Sequence, residues 1–462
     1  MRKLYSLVSA AALLGLGTVS APAMAATQPS VVYVSPSGSN TTGTGSASAP
    51  YATIPQALSQ VAAGGTVILE PGTYDETLSI TQDVNIEPDA SQGGNAANTI
   101  LDASGFSNGI VISGSSANGT RISGITIENA DNHGVFVQNS DNVVLSHLVV
   151  TKNGLKATAN PKIDEDKAIE LVGTSNGDVY DNVVEDNGAG IGLADNGQIN
   201  PGAPAPAGTA APSYGNVIQD NTISGNSTGC GIVVASYNAG EGVIDNVIID
   251  NSVSLSPAGI VVAADTPGTV AEGNQVLDNT ATNNFLPGII LHSNAPDDIV
   301  SDNSVIGNTV SNNKADPDVT ADNGPTGIIE IGAVEPVTHS IIANNSISTE
   351  TYGIYVDNAP GTIGLTDNNF ASSVQTPVYP NTRANLFSLL PEQIPARGHD
   401  AFFYAGPWSL ANNTVAIAKY SPQGQLLVVY PQRYSAAIAN DIGSLAEGSV
   451  IPAKHYIIAP NA

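Results

Sequence analysis

The residues best equipped for chemistry are crowded between positions 152 and 170. Lys152, Lys156, Lys162 and Lys167 form the most basic stretch of the chain, and Asp164, Glu165, Asp166 and Glu170 are interleaved with them. A lysine beside carboxylates can act as a base or hold an anion, and clustered aspartates suit a hard cation such as Ca²⁺. The competing reading is a solvated, mixed-charge loop. His133 and His292 flank short apolar runs and could contact a ligand, although a lone histidine at a strand edge is as readily structural. The six histidines are dispersed and show no metal-binding spacing. Asp-Asn pairs such as Asp245 and Asn246 are explained by turn chemistry. Asp297 and Asp298 are a further pair of carboxylates, and no phosphate-cradling loop or nucleophile elbow is present.

These groups need a frame, and the frame is a repeat. Gly134, Gly190, Gly231, Gly259, Gly288, Gly327 and Gly353 each open an alternating aliphatic run, with Ala168 in the glycine place of one copy. Asparagines five apart follow: Asn182 and Asn187, Asn221 and Asn226, Asn246 and Asn251, Asn274 and Asn279, Asn303 and Asn308. Asn142 and His147 take the two places after Gly134. Gly231, Gly259 and Gly288 each stand 15 residues before the first asparagine of their pair. Alternation of period two denotes a strand with one buried face. Strands this short form no sheet alone, but stacked coil on coil they give three parallel sheets around one core. Asparagine suits the bends because it tolerates left-handed backbone angles and can pair with its counterpart in the next coil. The fold class is therefore all-β, a three-sheet parallel β-helix.

Residues 1–25 read as a signal peptide. Met1, Arg2 and Lys3 precede an uncharged run from Leu4 to Ser20, and Ala23, Met24 and Ala25 form an A-x-A site, so cleavage is expected near Ala25 and the mature protein outside the cell. The solenoid with an amino-terminal cap is expected over residues 26–372. Thr53 and Pro55 start a capping helix that buries Ile54, Ala57, Leu58 and Val61. Proline-rich residues 196–213 and residues 314–326 read as inserted loops. Residues 373–462 read as a separate tail, a hairpin around Ser421 and a short helix from Tyr434 to Leu445. The single cysteine, Cys230, excludes an internal disulfide and reads as a small buried filler.

The formal net charge is -28, with only 13 lysines and arginines and 12% charged residues. Nucleic acid and anionic membranes are excluded as partners on this ground. A polyanionic glycan would need a local basic patch or bridging cations.

The amino-terminal landmarks resemble a known family. Tyr33 to Gly38, Gly43 to Gly45, Pro50 to Ile54, Gly65 to Val67 and Pro71 to Glu76 look like the signature of secreted right-handed parallel β-helix proteins of the pectate-lyase-like superfamily, and with the coils the likeness covers roughly residues 32–370. The resemblance implies an extracellular polysaccharide as partner, worked on an outer face of the helix. It implies β-elimination of a uronate glycan as one reaction, with Lys167 as base, Glu170 beside it, Asp164 and Asp166 holding Ca²⁺, and Lys152, Lys156, Lys162, His133 and His292 contacting substrate. The superfamily's glycosidases carry a Gly-His-Gly and an Arg-x-Lys besides paired aspartates; both are missing here. The alternative is a non-catalytic surface, adhesion or matrix protein that uses the solenoid as a binding platform. The outward row is Phe136, Glu170, Gly192, Val233, Val261, Ile290 and Tyr355. Its aliphatic middle admits a third possibility, a homo-oligomer joined through Val233, Val261 and Ile290. Glu330 fits the row in one register only, and the sequence leaves that register open.

Overall fold

A computed structural model describes residues 28–155, 167–195, 210–317, 319 and 322–380, together with the backbone of four strands between 402 and 451. The signal segment, the Tyr434–Leu445 helix, Lys156, Lys162, Asp164 and Asp166 lie outside the described residues.

Short parallel strands stack into three long sheets of eleven strands each. Alternation dictates the register. Ile232, Ile260, Ile289, Ile328 and Ile354 sit directly above one another, and all five are fully buried. The residue before each is the repeated glycine. A Cβ at Gly190 would lie 2.0 Å from the Gly231 carbonyl oxygen, and one at Gly259 would lie 2.2 Å from that of Gly288. Close approach of successive coils is what demands glycine there.

A fourth sheet of five very short strands, Ser213–Tyr214, Val243–Ile244, Val270–Glu272, Ile299–Ser301 and Val337–Thr338, fills one corner. Ser213 and Thr326 thus belong to strands and not to the inserted loops, because each pairs with a neighbouring coil. The helix Ile54–Gln60 is capped by Thr53, whose Oγ1 accepts the Gln56 N–H at 3.4 Å, and it buries Ile54 and Ala57 against the first coil. Strands Phe402–Ser409, Thr414–Tyr420, Leu426–Arg433 and Val450–Ile451 form a separate antiparallel sheet.

Asparagine ladders run up all three bends. One passes through Asn182, Asn221, Asn251, Asn279, Asn308, Asn345 and Asn368, each Nδ2 donating to the next Oδ1 at 2.8 to 3.1 Å. A second runs through Asn216, Asn246, Asn274 and Asn303. The third joins Asn153 to Asn187, and further on Asn284 to Asn313. The left-handed residue is the one before the ladder. Asp181, Asp220, Asp250 and Asp278 stack in one such column with φ between +53° and +56°. Asn142 and His147 are corrected accordingly: both are left-handed bend residues, and Leu148 takes the ladder place, donating its N–H to Asn182 Oδ1 at 2.9 Å.

Candidate functional site

The strands that follow the repeated glycines build a sheet whose outer face carries two polar groupings. The outward row runs Val111, Phe136, Glu170, Gly192, Val233, Val261, Ile290, Ile329, Tyr355 and Tyr379 in consecutive register.

The first grouping joins His133, Lys167 and Glu170. Lys167 Nζ stands 3.9 Å from Glu170 Oε1, and His133 Nδ1 stands 3.6 Å from Glu170 Oε2. The His133 ring stacks on Phe136 with centroids 5.2 Å apart, and its Nδ1 lies 2.9 Å from the Lys167 carbonyl oxygen, which places the proton on Nδ1. Gly192 makes room for the lysine stem. The three residues are 1%, 4% and 2% exposed. All three lie beneath the surface, Lys167 also acts on the buried Asp265, and a ligand cannot touch Lys167 Nζ without uncovering it. Lys152 is not part of it; it occupies an exposed left-handed bend and faces Glu128 at 3.9 Å.

The second grouping lines an open cleft of about 410 Å³ over the last coils. Ile290, Ile329 and Ile331 form its floor, Tyr355 one wall, and His292, Asn294, Asp316 and Asp357 its rim. His292, Ile331 and Asp357 stand in one register, each four residues after its glycine. Tyr355 is held rigidly, stacked on Tyr379 with centroids 5.2 Å apart and edge-on to Tyr352 at 5.8 Å. Burial, reinforced by Asp357, pushes its hydroxyl up to about 12. From Glu170 to Ile290 is four rungs, roughly 19 Å at the spacing of neighbouring strands. The sequence separated Asp357 from His292 by a long stretch and gave no sign of Asp316, which comes from an inserted loop.

Other expectations resolve structurally. Glu330 points inward, between Leu291 and Val356, and accepts the Thr362 hydroxyl at 2.7 Å. Burial pushes its carboxyl up to about 7. Asp298 is a turn brace, accepting N–H groups from Thr269, Asn294 and Ala295. Asp195 is similarly occupied by Ser236 Oγ and the Tyr237 N–H, and burial raises it to about 6. Val233 and Ile290 are largely buried, and Val261 packs with them against Cys230, Tyr237 and Leu286. Cys230 is half-buried filler between these clusters. Among the described residues, no group of three or more His, Cys, Asp or Glu is placed to hold a metal.

A family model for a right handed beta helix region matches residues 93–305. The described chain folds as a right-handed parallel β-helix. No curated protein sequence matches this β-helix chain. Solved structures similar to the β-helix include pectate lyase Pel9A, 14% identical over 88% of this chain and 89% of that one, with a TM-score of 0.49. The Azotobacter vinelandii mannuronan C-5 epimerase AlgE4 A-module is 16% identical over 71% of this chain and 91% of its own, with a TM-score of 0.43. An alginate lyase from Paenibacillus sp. str. FPU-7 is 14% identical over 70% and 95%, with a TM-score of 0.40.

Proposed function

We propose that this β-helix is a secreted protein that binds an extracellular polysaccharide, seating a stretch of the sugar chain in the cleft over Ile290, Ile329 and Ile331. The cleft carries the reading. Its apolar lining, of which Ile290 and Ile331 keep a small exposed edge, gives a sugar's C–H face a contact, and the carboxylates, amide and imidazole of the same lining meet its hydroxyls. The signal-like amino terminus supports secretion.

The test is retention of the mature protein in gels cast with different polysaccharides, comparing the wild type with Ala333→Trp. Ala333 lines the cleft, and an indole there would fill it. Retention of the wild type and its loss in the variant support the reading; equal retention of both contradicts it.

Processing by β-elimination is a second reading, favoured by the convergence of His133, Lys167 and Glu170 on the same outer face. It needs Lys167 as a free base in contact with the sugar, whereas the lysine is buried and paired. Incubation with pectate and alginate, with and without Ca²⁺, should raise the ultraviolet absorbance of an unsaturated product if elimination occurs, and Lys167→Ala should abolish the rise. No product from either substrate removes this reading and leaves the binding cleft untouched.

A further inference from the structure

We propose that the outer face of the first coils carries a second polysaccharide site, so that one molecule holds two sugar chains at once; the inference rests on the cleft over Ile290 being a polysaccharide site. The second site is a shallow pocket of about 560 Å³ on the sheet that begins with Val31–Val34, a different sheet from the one that carries the cleft. Tyr33, Ile68 and Pro88 give it an apolar side, and Glu87, Ser123 and His147 line the rest.

Alternation places these groups. Val32, Val67, Ile86, Ile122 and Leu145 point into the core and are no more than 1% exposed, so the residue after each, Tyr33, Ile68, Glu87, Ser123 and Ser146, stands on the outside. Tyr33, Ile68 and Glu87 are in consecutive register, Ser123 follows on the next strand, and Ser146 and Tyr180 continue the row. Neighbouring strands are about 4.8 Å apart, close to the rise of one sugar unit in an extended chain, so the row can meet a glycan unit by unit. Its ends are aromatic. Tyr33 opens it, and the exposed His147 ring stands edge-on to Tyr180 with centroids 5.6 Å apart and its Nε2 3.7 Å from Asp181 Oδ2. An aromatic ring takes the C–H face of a pyranose, and the exposed Glu87 carboxylate takes a pair of hydroxyls. One wall is braced: Asp89 Oδ1 accepts the Ser91 N–H at 2.9 Å and its hydroxyl at 2.5 Å, which fixes the turn Ala90–Gln92.

The two sites are far apart. Seven strand steps separate Val84–Pro88 from Ser304–Ile306, the strand just after the Ile290 run, which is roughly 34 Å along the helix. They also lie on different sheets, so a short oligosaccharide cannot occupy both, whereas two long chains can be bridged.

The experiment is calorimetric titration of the mature protein with cellotetraose, xylotetraose, tetragalacturonate and tetramannuronate. The tetrasaccharide that binds best should fill two sites per protein. Ser123→Trp, which fills the pocket, and Ala333→Trp, which fills the cleft, are checked for folding by circular dichroism, and each should leave one site. Glu87→Gln, an exposed substitution that spares the fold, should weaken the second site about tenfold. With the matching long polysaccharide the wild type should form light-scattering complexes, and both tryptophan variants should not. A single site in the wild type, removed by Ala333→Trp, overturns the second site and keeps the cleft as the polysaccharide site. Two sites that both survive Ser123→Trp overturn the placement in this pocket. Binding of no tetrasaccharide overturns the cleft and the pocket together.

Discussion

Glu350 Oε1 accepts two hydrogen bonds from one residue, the backbone N–H of Asn313 at 3.0 Å and its Nδ2 at 3.1 Å. A carboxylate thus closes the third asparagine ladder in the place where an amide would continue it. Burial, outweighing these two bonds, pushes Glu350 up to about 7, as burial does for Glu330.

Both shifts make stability depend on pH. Each carboxyl binds its proton more tightly folded than unfolded, where the ordinary value is 4.5. Below that value both states are protonated and folding carries no penalty. As pH rises from there towards 7 the unfolded chain releases the protons first, so stability falls. Urea midpoints should be higher at pH 5 than at pH 8. Glu330→Gln should flatten the difference, on the order of 3 kcal/mol at most for this fully buried group. A midpoint that rises with pH contradicts the assignment.

The ladders themselves are a second target. Asn279 Nδ2 donates to the Ile248 carbonyl at 2.8 Å and to Asn308 Oδ1 at 3.1 Å, and its Oδ1 accepts from Asn251 N and Nδ2, both at 2.9 Å. Asn279→Ala leaves buried donors and acceptors without partners and should cost about 3 kcal/mol in urea unfolding. A cost below about 0.5 kcal/mol would show that the ladder is incidental.

The aspartate column beside this ladder, one residue earlier in each coil, should behave in the opposite sense. Asp250 and Asp278 are raised first by burial and then by the aspartate one coil earlier, Asp220 and Asp250 respectively. Asparagine keeps the left-handed conformation and removes the repulsion. Asp250→Asn should stabilise slightly, by up to about 0.5 kcal/mol at low salt, and the gain should vanish at high salt. Thermal melts at two ionic strengths decide it.

Gly192 is matched to Lys167. A Cβ at position 192 would lie 2.1 Å from Lys167 Cδ and 2.9 Å from Cε. Gly192→Ala alone should cost about 1 to 3 kcal/mol. Added to Lys167→Ala it should cost much less, and the double-mutant cycle reads the coupling. Additive costs would contradict the packing described.

The solenoid was legible because period-two alternation leaves no freedom: shifting Ile232 by one residue would expose the whole strand. The ladders were legible in spacing but not in place. A complete coil such as Asn274, Asn279 and Asn284 carries three asparagines five apart, so a pair alone does not say which two bends it occupies. The run after Gly327 is apolar at both Ile328 and Ile329, and only pairing with the Gly288 and Gly353 strands turned Glu330 inward. Lys167 and Glu170 read as reactive because sequence carries charge but not burial. Asp316 stayed invisible because no periodicity fixes an inserted loop. Asp357 was visible in retrospect, four residues after Gly353 as His292 is after Gly288.

The most direct test of the account is hydrogen–deuterium exchange of the mature protein with and without a saturating oligosaccharide of the polysaccharide that retains it. Protection of the segments around 290–294, 329–333 and 355–357 is the expected result. Bound sugar with no protection there would contradict it.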